Sequence, residues 1–241
     1  MSSLSQTEQK KLASNFAVET LISEKKIFDG MKLSLGTGST AMFVAEHIAR
    51  LLSEKKLRDV KICTTSFQTK NFCDEQGIHT FSFNDKIISG FVDLAIDGAD
   101  EVDENRNCIK GGGAALLQEK IAAYNAKIFS LVVDERKLVK NLALIFPLPI
   151  EIVSEARVSI IKKLETLGAT SVLREAVKKD GPVITDNGNQ ILDCLWKTPI
   201  DVEKMEDEIK CIAGVVEVGF FTKNKPIVFI AKQNGTCEVR K

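Results

Sequence analysis

Apolar positions along the first half of the chain alternate between two rhythms: short continuous runs, and stretches spaced at three and four residues. Ser5-Gln6-Thr7-Glu8 has the form of a capping box, and Leu12, Phe16 and the 18–21 stretch give the helix it opens an apolar side. A short strand is predicted at about 32–35, running into GTGST (36–40), with a helix at about 41–52 behind it. Further strands are predicted over 60–66, 78–81, 91–96 and 127–134, and helices through Phe72 and over 114–125. FVDLAI (91–96) and KIFSLVVD (127–134) are continuous apolar runs, as in strands buried on both faces. This alternation predicts an α/β fold, an open, mostly parallel sheet with helices on both faces.

At FPLPIEIV (146–153) the texture changes, because two prolines break the pattern. From there the chain reads as strand (149–153), helix (155–168), strand (171–175), turn, strand (182–186), an NGN hairpin signal, strand (190–196), helix (201–214, closed by Gly214) and strand (215–221). That is a small α+β domain with an antiparallel sheet. The tail carries one more buried strand, which should return to the first sheet. The expected division is therefore 1–146 with 223–241 as the α/β domain and 147–222 as an insertion.

Composition narrows the function. Lys+Arg and Asp+Glu both number 33, so the formal net charge is zero and no global field favours nucleic acid or an anionic membrane as a partner. No apolar run approaches the roughly 18–20 residues of a membrane span. The N-terminal stretch has no apolar core of a signal peptide, so a cytoplasmic location is expected. Cysteines 63, 73, 108, 194, 211 and 237 form no CxxC pair, and with only His47 and His79 beside them they read as reduced and structural rather than as a zinc cluster.

The candidate chemistry lies in loops after strands. GTGSTA has the spacing of a dinucleotide fingerprint, but the next strand ends CTTS, without the acid that holds a ribose hydroxyl. What remains is Thr37, Gly38, Ser39 and Thr40 at a helix N-terminus, suited to a single phosphate, or equally a tight turn with a hydroxyl cap. DGADEVD lacks the glycine and terminal glutamate of a calcium loop. Asp97 and Asp100 directly follow a buried strand, at the sheet edge where open α/β folds bind ligands, whereas Glu101, Asp103 and Glu104 read as solvated. Lys110 precedes Gly111, Gly112 and Gly113, an entropically costly run that implies a close approach to the backbone. Glu119 shares a helical face with Ala115, Leu116, Ala122 and Ala123. It is either a buried base, its pKa raised by that burial, or a surface residue beside Lys120. Asp134 and Lys137 follow the next strand and can reach the same edge.

GTGSTA, DGADE, KGGGAALLQEK, the FPLP break, TDNGNQILD and GVVEVGFF together resemble, in order and spacing, the ribose-5-phosphate isomerases of the A type, from about residue 10 onward. The resemblance implies a ferredoxin-like second domain, assembly as a homodimer or homotetramer, a sugar phosphate substrate, and no metal or other cofactor. It implies that Glu119 is the proton acceptor, that Asp97, Asp100 and Lys110 complete the catalytic set, and that Thr37, Gly38, Ser39, Thr40, Gly98, Ala99, Gly111, Gly112, Gly113 and Lys137 line the substrate pocket. The stretch TTSFQTKNF departs from the family pattern, which is often richer in serine there. Two other classes stay in view: a non-catalytic sugar-phosphate sensor, which should carry a DNA-binding module, and a nucleotide-dependent oxidoreductase, which lacks its acid.

Overall fold

The computed structural model describes residues 3–241. In chain order its elements are α1 (Gln6–Ser23), β1 (Lys32–Leu35), α2 (Ser39–Ser53), β2 (Lys61–Thr64), α3 (Phe67–Glu75), β3 (Val92–Asp97), β4 (Glu101–Val102), β5 (Cys108–Ile109), α4 (Leu116–Tyr124), β6 (Ala126–Asp134), β7 (Leu148–Ile152), α5 (Arg157–Thr166), β8 (Thr170–Leu173), β9 (Gln190–Leu195), α6 (Val202–Lys210), β10 (Val215–Val218), β11 (Phe220–Phe221), β12 (Ile227–Ala231) and β13 (Cys237–Arg240). They fall into two compact units. The first runs up to Gly98, resumes over Ile121–Lys137 and closes with Pro226–Lys241; the second takes Ala99–Lys120 and Leu138–Lys225. Residues 99–120, which the sequence division leaves with the first domain, thus cluster with the second. Their strands explain it: β4 pairs with β5, and β5 pairs with β11.

In the first unit, six strands lie in the order β13-β12-β6-β3-β1-β2, all parallel except the β13 edge. The capping box forms as read: Ser5 N donates to Glu8 Oε2 at 2.8 Å, and Glu8 N donates to Ser5 Oγ. Leu33, Leu35, Leu94, Ile96, Val132 and Phe229 fill the core, with the Phe16 ring edge-on to Phe229. The tail returns as expected, β12 lying parallel to β6. One predicted strand does not form. Of 78–81 only Thr80 bridges to Ile62, because the Ile78 amide instead closes the end of α3 on Cys73 O. The strand order reverses between β1 and β3: the chain leaves β1 for β2 on one side, then resumes at β3 on the other. Open α/β sheets form their ligand crevices at such switch points.

In the second unit, β7-α5-β8-β9-α6-β10 forms an antiparallel sheet in the order β10-β7-β9-β8, the ferredoxin-like arrangement. Leu148, Ile150, Ile160, Leu164, Leu192 and Trp196 form its core, and the Trp196 indole donates to Leu167 O. The 182–186 stretch makes only isolated bridges. The predicted strand 215–221 is two strands in two sheets, split at Gly219. There the chain hands over from Ile150 to Ile109 as its partner, with Gly219 N donating to Pro149 O and Gly219 O accepting from Lys110 N. A Cβ at 219 would sit 2.6 Å from Lys110 O and 2.7 Å from Pro149 O, so only glycine permits the handover. No helix among the described residues is long and apolar enough to cross a membrane.

Gly219→Ala is expected to force the β7, β10 and β5 backbones apart at a cost of about 1–3 kcal/mol, typical of overpacking. Thermal melting should show Tm lowered by several degrees; an unchanged Tm would mean that this contact relaxes freely.

Candidate active site

The carboxyl ends of β1, β3 and β6, neighbours in the first sheet, carry the first group of candidate residues. Gly36 follows β1, and a Cβ there would fall 2.0 Å from Asp97 Cγ, so the absence of a side chain makes room for that carboxylate. Asp97 ends β3 and is buried. Its Oδ1 accepts from Thr37 N at 3.0 Å and from Gly98 N at 2.7 Å, tying the two loops together. Gly38 caps α2 with φ +95°, a left-handed conformation that favours glycine. Thr37 and Thr40 are half-buried and Ser39 is exposed, so hydroxyls and the positive end of a 15-residue helix share one small region. Lys137 lies half-buried in the short turn after β6, and Asp134 is buried at the strand end with Arg136 bound to its Oδ1.

The second group lies in the second unit. Asp100 is half-buried, and its Oδ2 accepts from Gly112 N at 2.8 Å. A Cβ on Gly112 would come within 2.6 Å of Asp100 Oδ1, and Gly111 has φ +105° with Leu116 and Pro149 against it. The close approach implied by the triple glycine is thus made in part by the protein's own carboxylate. Gly112 and Gly113 are exposed. Lys110 and Glu119 are both buried, 2% and 5% exposed, with Nζ 3.2 Å from Oε1. Glu119 is therefore buried and not a surface residue, and Ala115, Leu116, Ala122 and Ala123 are buried with it. The Lys110 ammonium also lies 5.8 Å from the centre of the Phe221 ring. A buried carboxylate held beside an ammonium brings together a group able to accept a proton and a charge able to stabilise an anion.

Two acids read as solvated are not. Glu101 is buried and accepts from the amides of Ala143 and Phe146, and Asp103 is buried and takes both donors of Asn107, so only Glu104 is exposed. Both satisfy loop backbone, the duty that makes burial of an acid tolerable. Sequence pattern also passes over several residues of this region. Thr65 occupies the end of the second strand, where a ribose-binding acid would stand, and its Oγ1 lies 2.7 Å from Thr37 Oγ1. Gln68 accepts from Gly38 N, and Thr69 donates to Gly36 O. The only sequence signal for them was their place after a strand at the switch point, in the stretch that departs from the family pattern. Lys10, on α1, donates to Ser39 Oγ at 2.8 Å, and nothing in its local sequence announces it.

A family model described as ribose 5-phosphate isomerase A (phosphoriboisomerase A) matches residues 61–235. The chain is 55% identical over 224 residues to ribose-5-phosphate isomerase A of Treponema denticola, a match covering 92% of this chain and 94% of that protein. It is 44% identical over 211 residues to the Thermococcus kodakarensis protein of the same name, covering 88% and 91%. The solved ribose 5-phosphate isomerase A of Methanocaldococcus jannaschii matches with a TM-score of 0.89 at 38% identity, over 98% of this chain and 100% of that one. A D-ribose-5-phosphate isomerase solved in complex with phospho-erythronic acid matches with a TM-score of 0.90 at 39% identity, over the same shares.

Cysteine chemistry does not compete with these carboxylates. Burial pushes the thiols of Cys63 and Cys194 up to about 12 and that of Cys73 up to about 11, and Cys108 is buried too. A thiol reagent at pH 8 should label exposed Cys211 quickly, Cys237 more slowly and the other four only after unfolding. Prompt labelling of Cys63 or Cys73 in the native protein would overturn that order.

Proposed function

This chain belongs to the ribose 5-phosphate isomerase A family, and from that premise we propose how its residues divide the reaction. It interconverts ribose 5-phosphate and ribulose 5-phosphate, moving a proton between C1 and C2 of the open-chain sugar. One observation carries the assignment of the base: Glu119 is a buried carboxylate on an otherwise apolar helical face, 3.2 Å from the Lys110 ammonium. In the aldose-to-ketose direction Glu119 takes the C2 proton, the released pair forms the C1–C2 double bond, and the aldehyde oxygen becomes the enediolate oxygen. Lys110 and nearby amides stabilise the charge that develops there. Glu119 then returns the proton to C1, while the C2 hydroxyl gives up its proton and the C1 oxygen gains one.

Asp97 serves the hydroxyl protons, including those exchanged on opening of the furanose ring, and Asp100 orients the sugar. Thr37, Gly38, Ser39 and Thr40 take the phosphate at the α2 N-terminus, with charge from Lys137. The Lys10–Ser39 contact adds a second lysine to that end. Gly98, Ala99, Gly111, Gly112 and Gly113 supply backbone around the sugar. The residues named need neither metal nor organic cofactor for this chemistry. The family resemblance supports extending this reading to the non-oxidative pentose phosphate pathway, a cytoplasmic location and assembly as a homodimer or homotetramer; equilibrium sedimentation giving a monomer would overturn the assembly.

Ketose formation from ribose 5-phosphate with excess chelator tests the core of the reading. Wild-type activity should persist, and Glu119→Gln should lose about 10²–10⁴-fold in kcat with KM little changed. A fully active Glu119→Gln would remove Glu119 as the base, and loss of wild-type activity with chelator would bring metal back.

A further inference from the structure

Arg174, just past the end of β8, makes more hydrogen bonds than strand pairing requires. Its Nε donates to Asp193 Oδ2 at 2.8 Å and its Nη2 to Asp193 Oδ1, a two-point pairing across β8 and β9. The remaining nitrogen, Nη1, donates to two successive carbonyls of the glycine turn, Gly111 O at 2.9 Å and Gly112 O at 3.1 Å. The side chain is only 14% exposed.

In a planar trans peptide the carbonyl and the amide point in opposite directions. With both carbonyls drawn to the guanidinium, the amides of Gly112 and Gly113 are turned away from it. The Gly112 amide meets Asp100 Oδ2 on that far side, at 2.8 Å. A run of three glycines is the segment least able to hold such an orientation by itself, since glycine has the widest choice of backbone conformations. A cation on the carbonyls also polarises the peptides and strengthens their amides as donors.

We propose that Arg174, aimed by Asp193, is a positioning residue for the isomerisation. It fixes the Gly111–Gly113 turn and, through it, the Asp100 carboxylate and the neighbouring Lys110. The proposal rests on the isomerase reading and extends it to a residue pair outside the catalytic set. A role confined to strand pairing predicts lost stability with kcat preserved, whereas a positioning role predicts lost kcat with substrate affinity preserved.

The test measures kcat, KM for ribose 5-phosphate, Tm and inhibition by phospho-erythronic acid for wild type, Arg174→Met and Asp193→Asn. Arg174→Met should lose about 10–100-fold in kcat, the cost of misplacing reacting groups by an ångström or less, with KM within about threefold. Inhibitor affinity should fall with kcat/KM. Asp193→Asn keeps the guanidinium but loosens its aim, so it should show a smaller loss of the same kind; if Arg174→Met does not fold, this variant decides. Variants with wild-type kcat, whatever their Tm, or with losses confined to KM would overturn the proposal. An inactive wild type would instead overturn the isomerase reading.

Discussion

Buried charge is the constraint around which the second unit is organised. Lys110, Glu119, Lys120, Glu206 and Glu217 are all less than a tenth exposed, and removing one partner from such a set leaves an uncompensated charge that costs several kcal/mol. Lys110 meets Glu119, while Lys120 donates to Glu206, Glu217 and the Val218 carbonyl, using all three of its protons. Burial, the largest single influence, would raise the Glu217 carboxyl, but the Lys120 charge together with hydrogen bonds from the Val218 amide, Lys210 and Lys120 outweighs it and holds the group below the ordinary carboxylate value. Phe221 presents its ring to both ammoniums, at 5.8 and 4.9 Å. Two adjacent residues of α4, Glu119 and Lys120, are thus each held by a separate ion pair, which fixes the helix against rotation and sliding.

Glycine serves the carboxylates in each unit. Gly36 leaves room for Asp97, and Gly112 leaves room for Asp100. Asp97 then accepts the amides of Thr37 and Gly98, and Asp100 that of Gly112, so that the acid orders the loop and the loop aims the acid. On the proposed reading, rigid placement of this kind, rather than an unusual functional group, is what ordinary carboxylates and a lysine bring to an isomerisation in which a proton must leave one carbon and return to the next.

Much of the proposed site rests on residues that stand out in the sequence. Family motifs marked Glu119, Lys110 and the aspartates, and helical periodicity showed that Glu119 shares its face with alanine and leucine, which left two readings. The acids around it were harder. Glu101 and Asp103 sit in a stretch that reads as a solvated acidic turn, yet Glu101 bonds the amides of Ala143 and Phe146, more than forty positions away. The 182–186 stretch has the letters of a strand, but the turn after it is pinned to buried Glu151 by Thr185, Asn187 and Asn189, and only isolated bridges remain.

The amino-acid sequence by itself determined the elements whose causes are local: the Ser5–Glu8 capping box, the continuous apolar strands, the glycine turns and the parallel-then-antiparallel order of the two units. Only the tertiary structure decided which charges are buried, where strand 215–221 breaks, and which side chains bond the glycine turn. The physical reason is separation along the chain. Periodicity reports which face of an element is apolar, but not what stands opposite that face. Lys120 and Glu206 are 86 positions apart, and Arg174 reaches the glycine turn from 63.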